Sequence, residues 1–139
     1  MVYKMSLTEK LLSLDVNKYK EKQTAEVEIK RLSDLIGEPF IIKVQEVDSG
    51  RMQEIQAMMF DKKGNYDINQ ARKVNILVCL EGVVEPNLKD ESLQKHFGAA
   101  TPKDLVEILF KGTELTKVSD AIAKISGFID GSEEEELKN

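Results

Sequence analysis

The sequence predicts an α+β fold, a small antiparallel β-sheet with strands near 25–31 and 40–47 followed by a cluster of about four to five helices. Residues 25–31, Ala-Glu-Val-Glu-Ile-Lys-Arg, alternate apolar with charged, the pattern of a strand with one face buried. Residues 40–47, Phe-Ile-Ile-Lys-Val-Gln-Glu-Val, read as a second strand, and Pro39 opens it where a missing N–H does little harm. Beyond Asp48 the apolar spacing lengthens to that of a helix.

Each element has its own signals. Ser6 and Glu9 have capping-box spacing, which starts a short helix through Leu7, Leu11, Leu12 and Leu14. Residues 18–23 read as polar linker. Between the two strands, residues 32–38 join with a helical turn ending at Gly37. Met52, Ile55, Met58 and Met59 recur at helical spacing, with Asp48 or Ser49 as the N-cap. Residues 62–65, Lys-Lys-Gly-Asn, form a turn. Asp67 caps a long helix through Ala71, Val74, Leu77, Val78 and Val84 that stops before Pro86. Residues 74–80 also suit a buried strand, because periodicity does not separate the two; length and residues 70–73 favour helix.

Three helices follow closely. Residues 90–97 form a short one stopped by Gly98. Thr101 caps the next, with Pro102 in its first turn and Leu105, Ile108 and Leu109 on its inner face. Gly112 or Thr113 starts the last, which places Leu115, Val118, Ile122 and Ile125 inside. Gly127 closes it, and Phe128 folds back over its end. Residues 133–136 are four consecutive glutamates in an acidic tail. The expected organisation is an N-terminal arm at 1–22, one domain at 23–131 and a tail at 132–139.

Totals narrow the function classes. With 139 residues, 41% hydrophobic and 32% charged, the chain supports one globular core. Its net charge of −5 argues against nucleic acid as a partner, since Lys18, Lys20 and Lys22 are the longest basic cluster. A lone cysteine, Cys79, fits a reducing cytosol. The first residues lack the apolar core of a signal peptide. The longest apolar run, 76–80, is far short of the ~20 residues that cross a bilayer. A cytoplasmic protein without a membrane partner is expected.

Catalytic motifs are missing. No phosphate-cradling glycine loop, CxxC or HExxH is present, so neither a cofactor nor a metal is expected. Asp61, Lys63, Asn65 and Asp67 have the spacing of a calcium loop, but Lys63 replaces a ligand and Arg72 stands where the bidentate glutamate belongs. His96, the sole histidine, lies near a helix C-terminus, where a cation suits the dipole. Cys79 sits in apolar surroundings that raise a thiol's pKa and leave it inert.

Binding chemistry is better represented. Met52, Met58 and Met59, with Ile55 and Phe60, offer the adaptable apolar contacts that methionine supplies. The same stripe suits an interior helix face, and both roles can coexist on one helix. Leu7, Leu11 and Leu14 make a second candidate surface, which docks either on the chain's own domain or on a partner.

Four ordered segments carry a resemblance. They are residues 40–55, from the second strand to Arg51-Met52-Gln53-Glu54-Ile55; Tyr66-Asp67 with the apolar run leading to Val84-Glu85-Pro86-Asn87-Leu88; residues 93–105, Leu-Gln-Lys-His-Phe-Gly-Ala-Ala-Thr-Pro-Lys-Asp-Leu; and Lys111-Gly112-Thr113-Glu114 leading to residues 125–128, Ile-Ser-Gly-Phe. Over about residues 24–130 the chain resembles the XkdN-like tail assembly chaperones of long-tailed phages and prophages. Thr113 departs from the Pro-Gly-Glu often found there, a mild change that touches no chemistry. The resemblance implies a non-virion protein of the host cytoplasm that binds the long, apolar tape measure protein, keeps it soluble and helps tube subunits assemble. It implies no catalytic residues. It adds two further partners, the tail tube protein and a longer form of the chain itself, of the kind that many tail chaperone genes yield by ribosomal frameshifting; the A-rich codons of Lys138 and Asn139 leave room for a slippery site. The readings it competes with are a structural tail component retained in the virion and a small enzyme of another kind.

Overall fold

The computed structural model describes residues 4–128. Strands β1 (Thr24–Glu28) and β2 (Ile41–Gln45) pair antiparallel, in a register that sets Val27 opposite Ile42 and Ala25 opposite Val44. Alternation buries Val27, Ile42 and Val44. It leaves Glu26 opposite Lys43 on the exposed face, an opposite-charge pairing that suits the register. Pairing continues past both strands. Ile29 N–H donates to Phe40 O at 3.1 Å, and Glu46 N–H donates to Gln23 O at 2.9 Å.

The expected strand at 25–31 ends early. Ile29 still turns inward and is buried, but Lys30 begins helix α3 (Lys30–Ile36). The return to β2 is short, and a compact helix covers it: Gly37 closes α3 at φ 89°, and buried Ser33 accepts the Phe40 N–H at 2.8 Å. The expected linker at 18–23 is also partly helical. Helices α1 (Leu7–Leu12) and α2 (Val16–Lys20) precede β1, because Asp15 caps the second of them.

Helix α4 (Ser49–Ala57) buries Met52 and Ile55, with Asp48 at the N-cap position. Met58 and Met59 lie just beyond it. The chain then turns through 62–65, where Phe60 and Tyr66 bridge antiparallel. Asp67 accepts the Asn69 N–H and starts a 3-10 turn, Ile68–Gln70, that leads into α5 (Ala71–Gly82). Residues 74–80 are therefore helix. This helix ends two residues before the expected Val84. Val83–Glu85 leaves it as β3, which pairs with β2 to give the antiparallel order β1-β2-β3. Two adjacent β-branched valines before a proline favour extended backbone over another helical turn.

Helix α6 (Glu91–His96) is capped by Asp90, and α7 (Pro102–Leu109) by Thr101, whose hydroxyl accepts the Asp104 N–H at 3.1 Å. The inner face of α7 is Leu105, Val106 and Leu109; Ile108 is partly exposed, since it lies on the helix's outer side. Helix α8 (Thr113–Ile125) buries Leu115, Val118 and Ile122. It ends in a full left-handed cap: Gly127 N–H donates to Lys124 O, and Phe128 N–H reaches back to Ala123 O at 2.9 Å.

One core joins these parts. Helix α8 packs on β1 and β2 and against α5, which also meets α4 and α7. The described residues thus hold eight α-helices, more than the four to five expected, because the arm and the β1–β2 connection are helical too. The readings at residues 129–139, the acidic tail among them, lie outside the described residues.

Candidate partner-binding surface

Local signals alone make the arm helical. Ser6 Oγ accepts the Glu9 N–H and Glu9 Oε1 accepts the Ser6 N–H, both at 3.1 Å, a complete capping box. Asp15 Oδ1 accepts the Asn17 N–H at 2.9 Å. Yet α1 and α2 bury no residue. Leu7 is 78% exposed, Leu11 66% and Leu12 81%; Leu14, Val16 and Tyr19 are exposed as well. Helices of five or six residues are marginal without a packed face, and this leucine stripe is uncovered among the described residues.

The candidates on and after α4 divide. Met52 and Ile55 are fully buried between α4 and the rest of the core, out of a partner's reach in this conformation. Met59 packs half-buried against the same core. Met58 and Phe60 are exposed. Two residues that sequence reading missed join them: Tyr66, whose ring meets Phe60 edge-on at 6.0 Å, and Ile68, 70% exposed. The signal for Tyr66 was the turn at 62–65, which folds it back onto Phe60.

Charged groups elsewhere are arranged for structure. Arg31 grips Glu114 with two bonds, Nε to Oε2 at 3.0 Å and Nη2 to Oε1 at 2.9 Å, and Nη2 also donates to Leu109 O. Held by Arg31, and accepting the Lys111 N–H, the Glu114 carboxyl sits below the usual carboxylate range. This pair lines a cleft of about 460 Å³ with Glu28, Lys117 and Asp120, where Lys117 Nζ donates to Glu28 O at 2.9 Å. Arg51, bonded to Glu81 and Glu54, ties α4 to α5. Cys79 is fully buried, and burial pushes its thiol up to about 12, where it is inert as a nucleophile. His96 lines another cleft with Glu85 and Asp90 and meets the Phe97 ring edge-on. No group of three or more metal-ligating side chains occurs among the described residues, and no helix there is long and apolar enough to cross a membrane.

The family model of the phage XkdN-like tail assembly chaperone protein matches residues 8–138. The chain belongs to that family. The match begins within α1, so in this tail assembly chaperone most of the arm is part of the family pattern, which extends beyond residues 24–130. The chaperone is also similar to the crystal structure of the protein yqbn, with a TM-score of 0.53 and 20% identity over 93% of this chain and 100% of that one. At that identity the likeness is one of fold. No curated protein matches the chain. The family is one of chaperones, not of enzymes.

Proposed function

We propose that this tail assembly chaperone binds the tape measure protein in the host cytoplasm and covers its apolar faces until tube subunits replace the chaperone. The observation that supports this is the arm: two capped helices and the turn between them present Leu7, Leu11 and Leu14 to solvent, and neither helix buries a residue. Met58 and Phe60 extend the candidate contact, with Tyr66 and Ile68 beside them. Met52 and Ile55 hold the scaffold from inside, and half-buried Met59 belongs mainly with them.

An exposed apolar surface of this kind marks an interaction site. A tape measure protein is long, so several copies would line it. Each contact would have to be modest, so that the tube protein could displace it by faster dissociation. Residues 1–22 act as the contact arm and 23–131 as the body in this reading. A longer frameshifted form would share that body and add contacts to tube subunits.

Mass spectrometry of assembly intermediates and of finished tails tests the role. The chaperone is expected with the tape measure protein in intermediates and absent from finished particles. Stoichiometric recovery in finished tails would make it a structural component instead.

A further inference from the structure

Much of the exposed apolar surface among the described residues lies in two segments of net positive charge. Residues 4–22 carry five lysines against three carboxylates, and residues 58–73 carry four cations against two carboxylates. With these segments at +2 each and the whole chain at −5, the remainder stands at −9. The two cationic segments are those that expose Leu7 and Leu11 on one side, and Phe60 and Tyr66 on the other.

The lysines are available. Lys18, Lys20, Lys62 and Lys63 are exposed and make no ion pair with any described residue. Three of the nearby carboxylates are engaged with backbone: Asp15 caps α2, Asp61 accepts the Lys63 and Asn65 N–H groups at 2.9 Å each, and Asp67 caps the 3-10 turn. Lysines next to apolar anchors accept a partner whose apolar stripe is flanked by carboxylates.

We propose that the segments of the client these two surfaces take are acidic amphipathic helices, with a leucine-type face on the anchors and Glu or Asp against the lysines. This rests on the client-binding reading above and names the chemistry of the bound segment. It has a sharp sign. A chain of net charge −5 attracts cationic peptides at long range, so an acidic preference must come from local contact.

Two labelled synthetic helical peptides with one identical leucine face, and either Glu or Lys on the polar face, provide the probe. Fluorescence anisotropy with the full chain is expected to show the Glu peptide binding about tenfold tighter, a preference that shrinks as salt is raised. The Lys18→Glu/Lys20→Glu/Lys62→Glu/Lys63→Glu variant is expected to lose or reverse it. Equal affinities in the wild-type chain, a preference for the Lys peptide, or binding of neither at millimolar peptide would overturn the proposal. So would a folded variant that keeps the full acidic preference. The wild-type comparison needs no variant to fold. Co-expression with the tape measure protein reads the chaperone role separately: solubilisation without an acidic preference sinks this inference alone, and failure of both sinks the client-binding reading.

Discussion

Gly82, the last residue of α5, lies against Ile122 of α8 so closely that a Cβ there would sit 2.6 Å from Ile122 Cγ2 and 2.7 Å from its Cδ1. The pair sits where α5 gives way to β3 and allows α5 and α8 to approach closely. Alanine ordinarily gains up to about 1 kcal/mol over glycine in a helix, so the sign of a substitution here reports the clash. Gly82→Ala is expected to destabilise the fold by about 1–3 kcal/mol. In an Ile122→Ala background, itself costing about 2–5 kcal/mol, the same change is expected to be neutral or stabilising. A urea-unfolding double-mutant cycle measures both, and additive effects would show that the contact is not the cause.

Acid sensitivity should trace to Glu114. Its folded value is depressed by the Arg31 hydrogen bonds, so its stabilisation is complete above the ordinary carboxylate value and fades as pH falls through the depressed one. Glu114→Gln and Arg31→Ala should each flatten the loss of urea midpoint between neutral and strongly acid pH. An unchanged slope in both variants would remove the pair from the account.

Cys79 should be silent until the chain opens. With its thiol pushed to about 12 and its side chain enclosed, reaction with a disulfide-exchange reagent at neutral pH depends on unfolding. A rate at least about 5,000-fold slower than in urea is expected from an ordinary domain stability of about 5 kcal/mol or more. A comparable rate in native protein would mean that α5 opens locally.

The arm leucines should be free to change as far as folding is concerned. Leu7→Ser/Leu11→Ser/Leu14→Ser replaces side chains outside the buried core, so global stability should stay within about 0.5 kcal/mol per site. A large drop in the denaturation midpoint would show that the arm packs on the body.

Much of this was legible in the residues because the signals were local. The Ser6–Glu9 box, the Thr101–Pro102 start and the Gly127 stop are each set by neighbours within one turn, and each stands where the spacing put it. The losses came where distant partners decide. Lys30 continues a strand-like alternation, yet the short return to β2 and the grip of Arg31 on Glu114 draw both into α3. Val83 and Val84 extend an apolar helical run, yet β2 offers them an open edge. Met52 and Met59 look alike in sequence, but the end of α4 at Ala57 leaves one in the core and the other at its rim. Tyr66 was invisible as a contact until the turn at 62–65 set it beside Phe60.

The most direct measurement is the soluble fraction of the tape measure protein when co-expressed with the intact chain, with the three-leucine arm variant, and with an empty vector. The intact chain should raise it severalfold and the arm variant should fall back toward the vector, although that variant remains folded. No rise with the intact chain, or an equal rise with the variant, would contradict the claim that this bare apolar surface exists to cover a client.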